Sequence, residues 1–148
     1  MTLPISLSFG KIDVVIGVVL GSIFSLLVIT GSNFVIGIPE VQSLGEIGRF
    51  GIIATGAPFG EEFLFKFGLL NILLLVGFGF VVSGLMTSIG FSLFHFLVYE
   101  NNTGPLVGAF IFSMVTSYAA YKRGNVLVAI IPHLMFNVVL YLANLGVI

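Results

Sequence analysis

Charge is what this sequence most lacks. Of its 148 residues, 7% are Asp, Glu, Lys or Arg, against about 25% in an ordinary soluble domain. With 58% hydrophobic residues and a mean hydropathy of +1.23, the composition reads as that of an integral membrane protein. Cysteine is absent, which excludes disulfides, thiolate metal ligands and a cysteine nucleophile. A net charge of −1 offers no electrostatic footprint for nucleic acid. The short alternating segments of a transmembrane β-barrel are missing as well. The start, Met1-Thr2-Leu3-Pro4, lacks a basic region and a small-residue cleavage site. No removable signal peptide is therefore expected, and the first span would serve as an uncleaved anchor.

What is there is a set of long apolar runs with a few polar residues placed inside them. The runs predict an all-α bundle of about five transmembrane helices. We place them at 14–36, 59–77, 79–99, 105–120 and 126–147, in a single transmembrane domain, 1–148. Residues 37–58 hold Pro39, Glu40, Gln42, Glu46 and Arg49 among apolar residues, and read as a loop plus an interfacial amphipathic helix. Gly56-Ala57-Pro58 should end that helix and start the next one, because proline is well tolerated at the first helical position. Glu61 and Glu62 would then lie in the first turns, where the helix dipole favours carboxylates. Gly77-Phe78-Gly79 separates the second span from the third. Gly17, Gly21 and Ser25 recur every four residues and offer another helix a close approach. The positive-inside rule puts Lys11, Lys122 and Arg123 on the inner side and Glu40, Glu46, Arg49 and Glu100 on the outer.

The stretch Gly60-Glu61-Glu62-Phe63-Leu64-Phe65-Lys66 stands out. From Phe67 to Phe94 the chain carries no other ionisable side chain. A charge near the bilayer centre costs roughly 2.5–3.5 kcal/mol on insertion scales, so three such groups in six residues call for a role. Glu62 and Lys66 are four apart with the acid first, the favourable order for a helical ion pair. Glu61 points about 100° away from that pair and has no such partner. His95 ends the third span on the side where Glu61 starts the second. His133 and Asn137 are four apart on the last span and share a face. Phe91 shares a face with His95. Taken singly, each has a plainer reading: a packing aromatic, or a hydrogen bond between helices. Together, at compatible depth, they bring a carboxylate, two imidazoles and an amide within reach of one another.

Three motifs in order carry a resemblance. Glu61-Glu62-Phe-Leu-Phe-Lys66 resembles the EExxxR motif of the CPBP (CaaX protease and bacteriocin-processing, or Abi) family. Phe91-Ser-Leu-Phe-His95 resembles its FxxxH motif, and His133-Leu-Met-Phe-Asn137 its HxxxN/D motif. The likeness marks out a catalytic core at 59–142. Lys66 departs from the pattern, keeping the charge of arginine but not its bidentate fork. The resemblance implies an intramembrane glutamic endopeptidase of the cell membrane, similar to the type II CAAX prenyl endopeptidases. Its substrate would be a peptide or protein, prenylated or not, reached from the lipid bilayer, with no cofactor and no metal. Glu61 would activate a water, and His95 would position that water and protonate the leaving amine. His133 and Asn137 would donate to the oxyanion, with Glu62, Lys66 and Phe91 in support. Glu61 and His95 should then sit about 3 Å from a shared water, with His133 and Asn137 facing the same cavity. Three other readings stay open: a non-enzymatic immunity or scaffold protein of the same family, a zinc metalloprotease, and a proton-coupled transporter. Against zinc stands the lack of HExxH on one helix. Against transport stands the lack of an inverted repeat.

Overall fold

A computed structural model describes residues 3–31, 44–96 and 103–144. Its helices are α1 (Lys11–Gly31), α2 (Leu44–Glu62), a π-helical stretch (Phe63–Leu70), α3 (Asn71–Leu75), α4 (Phe80–Phe94), α5 (Thr103–Arg123) and α6 (Leu127–Asn144). Among the described residues the only β pairing is an isolated bridge between Ser6 and Asn125. The all-helical expectation therefore holds. Helix α5 is the one described helix long and apolar enough to cross a membrane, while Phe80–Phe94 and Leu127–Ala143 are shorter apolar helices. Residues 32–36 of the first expected span lie outside the described residues. So do Pro39, Glu40 and Gln42, the end of the third expected span, and the polar turn at Glu100-Asn101-Asn102.

The expected break at Pro58 does not occur. Helix α2 runs through Pro58 and passes directly into the π stretch and α3, so Leu44 to Leu75 form one continuous rod. Glu61 and Glu62 therefore sit well inside a helix, and the dipole at a helix start cannot explain them. Proline removes one backbone donor, but in apolar surroundings breaking the helix would orphan several more backbone groups. Nor is the first half of α2 a separate interfacial helix. It packs along α6, and a side chain at Gly51 would meet the Tyr141 ring at 3.4 Å. The turn at Gly77 is as expected, with φ of +103°, a conformation glycine adopts without strain.

Helix α4 was expected to continue to residue 99 and instead closes at Phe94. The cause is local. The carbonyl of Phe91, which would accept from the His95 backbone N–H in a continuing helix, instead accepts from the imidazole Nδ1 of His95 at 2.8 Å. The His95 backbone N–H turns to Ser92 O at 3.1 Å, a tighter pairing that ends the helix.

The most extensive helix pairings among the described residues are α1 along α6, α4 along α5, and α2 along α6, with α5 also meeting α6. The Gly17/Gly21/Ser25 face is where α1 meets α6. A Cβ at Gly17 would come within 2.8 Å of Ile131, and one at Gly21 within 3.0 Å of the Pro132 backbone. Residues 3–10 fold across the end where α5 turns into α6. Ile5 is fully buried there against Leu70, Val126 and Ile130. Asn71 pairs with both backbone groups of Ile5 at 2.8 Å. Asp13 accepts from Arg123 at 2.6 Å and from Asn125 at 2.8 Å. The start of α1 and the end of α5 thus share one end of the bundle.

Candidate active site

The rod from α2 into the π stretch carries Glu61, Glu62, Phe65 and Lys66, and two of these, Glu62 and Lys66, are fully buried. A π stretch adds a residue per turn and recurs at functional sites. Here it follows the two acids immediately. An ammonium and a carboxylate removed from water must be paired, and Lys66 Nζ lies 3.1 Å from Glu62 Oε2. The i,i+4 ion pair anticipated from spacing is present. Two further contacts complete the lysine's surroundings: Ser113 Oγ on α5 at 3.0 Å and the Phe91 ring on α4, 3.9 Å to its centroid.

Glu61 differs from Glu62 in every respect that matters for chemistry. Its side chain keeps 16% of its surface open, whereas that of Glu62 keeps none. One of its oxygens, Oε2, is approached by His95 Nε2 at 3.3 Å and by His133 Nε2 at 3.7 Å. Oε2 makes no hydrogen bond among the described residues. Three helices thus converge on one carboxylate oxygen that retains its accepting capacity.

The outer nitrogens of both rings are committed. His95 Nδ1 lies against the Phe91 carbonyl, which can only accept, so Nδ1 carries the proton. His133 Nδ1 lies 2.8 Å from Glu62 Oε1, and an ionised carboxylate likewise makes it the donor. Each ring is therefore held with Nε2 turned toward Glu61. This bond between His133 and Glu62 spans 71 residues of sequence and was not anticipated; the spacing analysis paired His133 with Asn137 alone. Asn137 is half-buried one turn along α6, and no hydrogen bond joins it to Glu61, His95 or His133 among the described residues.

Aromatic rings enclose the cluster. Phe91 packs against His95, with centroids 4.6 Å apart, and edge-on to His133 at 5.7 Å. Phe112 of α5 packs edge-on to His133 at 5.2 Å. Sequence reasoning singled out Phe91 but missed Phe112 and Ser113, which belong to no motif. The only hint was the small, weakly polar face that places Ser113, Thr116, Ser117 and Ala120 together on α5. Among the described residues, no group of three His, Asp or Glu side chains is arranged to hold a metal ion.

A comparison with known families agrees with the motifs. No curated protein and no solved structure matches the chain. A family model, that of the type II CAAX prenyl endopeptidase Rce1-like proteins, matches residues 43–139. That stretch is well over half of the 148 residues, and it holds Glu61, Glu62, Lys66, Phe91, His95, His133 and Asn137 while leaving α1 outside. On that match the chain belongs to the Rce1-like family of type II CAAX prenyl endopeptidases, a family of membrane-embedded proteases.

Proposed function

We propose that the chain is a multi-pass intramembrane endopeptidase in which Glu61 activates the attacking water. One observation carries the reading: two imidazole Nε2 atoms converge on a Glu61 oxygen that makes no hydrogen bond among the described residues. A base must lie within hydrogen-bond reach of the proton that it removes. Glu61 is the acid of the pair that solvent reaches, and Glu62 is shut away with Lys66.

In this mechanism a water donates one proton toward Glu61 and is oriented by His95 Nε2. Its oxygen adds to the scissile carbonyl carbon as Glu61 takes the proton. The tetrahedral intermediate collapses, the C–N bond breaks, and the proton passes through His95 to the leaving amine. The products are a new carboxylate and a free amine. His133 and Asn137 are the donors proposed for the oxyanion. With Nδ1–H given to Glu62, His133 can donate from Nε2 only as the doubly protonated ring, and Glu62 then supplies the countercharge. Donors to an oxyanion work at roughly 2.7–3.1 Å, the distance Asn137 would need to reach in the substrate complex.

The family match supports a peptide or protein substrate, and the proposed one is a peptide with a C-terminal CAAX motif, prenylated or not, entering from lipid. The test is cleavage of a quenched fluorescent CAAX peptide by detergent-purified protein, with and without the prenyl group. Cleavage that is lost in Glu61→Gln supports the mechanism, and chelators should leave the rate unchanged. Full activity in Glu61→Gln would overturn it. So would stoichiometric zinc lost together with activity.

A further inference from the structure

We propose that Ser113 is a positioning residue of this site, holding Lys66 so that Glu62 stays turned toward His133. The inference rests on the glutamate mechanism for its effect on cleavage, but on geometry alone for the contact. Lys66, Glu62 and Ser113 are each fully buried. An ammonium offers three N–H groups and accepts nothing. Around Nζ stand Ser113 Oγ at 3.0 Å, Glu62 Oε2 at 3.1 Å and the Phe91 ring at 3.9 Å. These partners come from three elements: α5, the end of α2, and α4. Glu62 Oε2 stands 3.1 Å from Nζ as the ion-pair partner. The hydrogen bond that fixes the ammonium's direction is the one to Ser113.

Some hydroxyls in these helices bond within their own turn, Ser88 and Ser92 reach α5 at Met114 Sδ and the Leu106 carbonyl, and Ser113 receives the ammonium of Lys66. The usual habit of Ser and Thr in a helix is to bond back to a carbonyl one turn earlier. Ser22, Thr55 and Thr116 do so, onto Val18, Gly51 and Phe112. The Ser113 hydroxyl instead accepts from a side chain 47 residues away. From it a continuous path runs to the reacting end. Lys66 pairs with Glu62, Glu62 Oε1 lies 2.8 Å from His133 Nδ1, and His133 Nε2 lies 3.7 Å from Glu61 Oε2. Ser113 itself touches neither histidine nor Glu61 by any hydrogen bond, so its influence must travel along that path. A lysine has one nitrogen with which to satisfy this geometry, whereas a guanidinium brings five donors in a rigid fork. In this chain Ser113 supplies from α5 the fixed direction that a fork would provide by itself.

The experiment compares Ser113→Ala, Ser113→Thr and the double variant Ser113→Ala/Lys66→Arg in detergent. Two readouts are taken: peptide cleavage, and the imidazole resonances from ¹⁵N-histidine labelling. The chain has two histidines, and His133→Gln assigns them. Ser113→Ala should lower kcat about 10-fold with KM unchanged, as expected for one lost bond to a charged group. Its His133 Nδ1–H resonance should shift or broaden, while that of His95 stays in place. Ser113→Thr should behave as the parent, and Lys66→Arg should restore the alanine variant. A merely structural serine would change thermal stability without a kcat-selective loss, and without rescue by arginine. An unchanged His133 resonance in folded Ser113→Ala overturns the proposal. If the parent protein cleaves no peptide, the peptidase reading fails, and the His133 resonance still decides the Ser113 contact.

Discussion

Two buried polar clusters among the described residues are built on opposite plans. The one under residues 3–10 is saturated. Both amide atoms of Asn71 are bonded, to Ile5 and Phe67. Asn125 donates to Ser8 and Asp13 and accepts from Ser8 and Leu127. Asp13 uses one oxygen for Arg123 and the other for Asn125. The cluster around Glu61 is left incomplete: two rings face one oxygen that accepts from neither. A satisfied buried network stiffens a structure, whereas an unsatisfied one destabilises it. The Glu61 oxygen, on the partly exposed acid of the pair, is suited to receive a reacting molecule. The contrast separates the polar groups that hold the bundle together from those that can act.

The largest effect should come from the atom that differs most between the clusters. Glu61→Gln keeps shape and volume but removes the base, and should lower cleavage by roughly 10²–10⁴-fold. Its melting temperature should stay at or above that of the parent, because an unsatisfied buried oxygen becomes an amide that can donate to the histidines. A melting loss equal to that of Glu62→Gln would erase the distinction between the two acids.

Next comes the ion pair. Lys66→Met leaves Glu62 charged and fully buried, and removing one partner of such a pair costs about 3–5 kcal/mol. Unfolding of the variant in detergent should report that loss. Glu62→Gln/Lys66→Met together should cost less than the sum of the two single changes, since neither charge is then stranded. Strict additivity would show that the pair contributes little as a pair.

Several of these features could be read from the residues alone. The i,i+4 spacing of Glu62 and Lys66 needs only helix geometry, and the close approach at Gly17 and Gly21 needs only small side chains on one face. The order of the three motifs led to the family. Other features were hidden for physical reasons. Pro58 follows a local rule, breaking helices, that the need to pair every backbone group overrides. The π stretch lies in Phe-Leu-Phe-Lys-Phe-Gly-Leu-Leu, a run too uniformly apolar for its period to show. The early end of α4 depends on which donor takes the Phe91 carbonyl. Ser113 and Asn71 act across 47 and 66 residues of sequence, and no single-helix pattern reports contacts of that range. The roles assigned to Glu61, His95, His133 and Asn137 stay with the mechanism and its tests.

On the saturated side the changes should touch stability alone. Asn71→Ala strands both backbone groups of Ile5 beneath residues 3–10, and an unmet buried donor or acceptor costs about 1–3 kcal/mol. Cleavage per folded molecule should be unchanged, measured as kcat after correction for the folded fraction. A selective loss of kcat would mean that this end of the rod is coupled to Glu61 after all.

The smallest effect is a pH dependence, and it belongs to the same cluster. Asp13 stands at the start of α1, and the hydrogen bond from Asn125 holds its carboxyl below the ordinary carboxylate value, with Arg123 adding to the effect. A carboxylate whose pKa is lower in the folded state than in the unfolded chain stabilises the fold at every pH above the unfolded value. That contribution falls away as pH drops through the depressed folded value, where both states are protonated. Asp13→Asn cannot ionise and should lack it throughout. The gap in melting temperature between parent and Asp13→Asn should therefore be constant from neutral pH down to about pH 4, then narrow steadily in stronger acid. It should also shrink in high salt, because Arg123 is partly exposed and its attraction is screened. A gap that widened on acidification would mean that Asp13 is harder to ionise in the fold than out of it, and that this end of the bundle does not hold the saturated network described here.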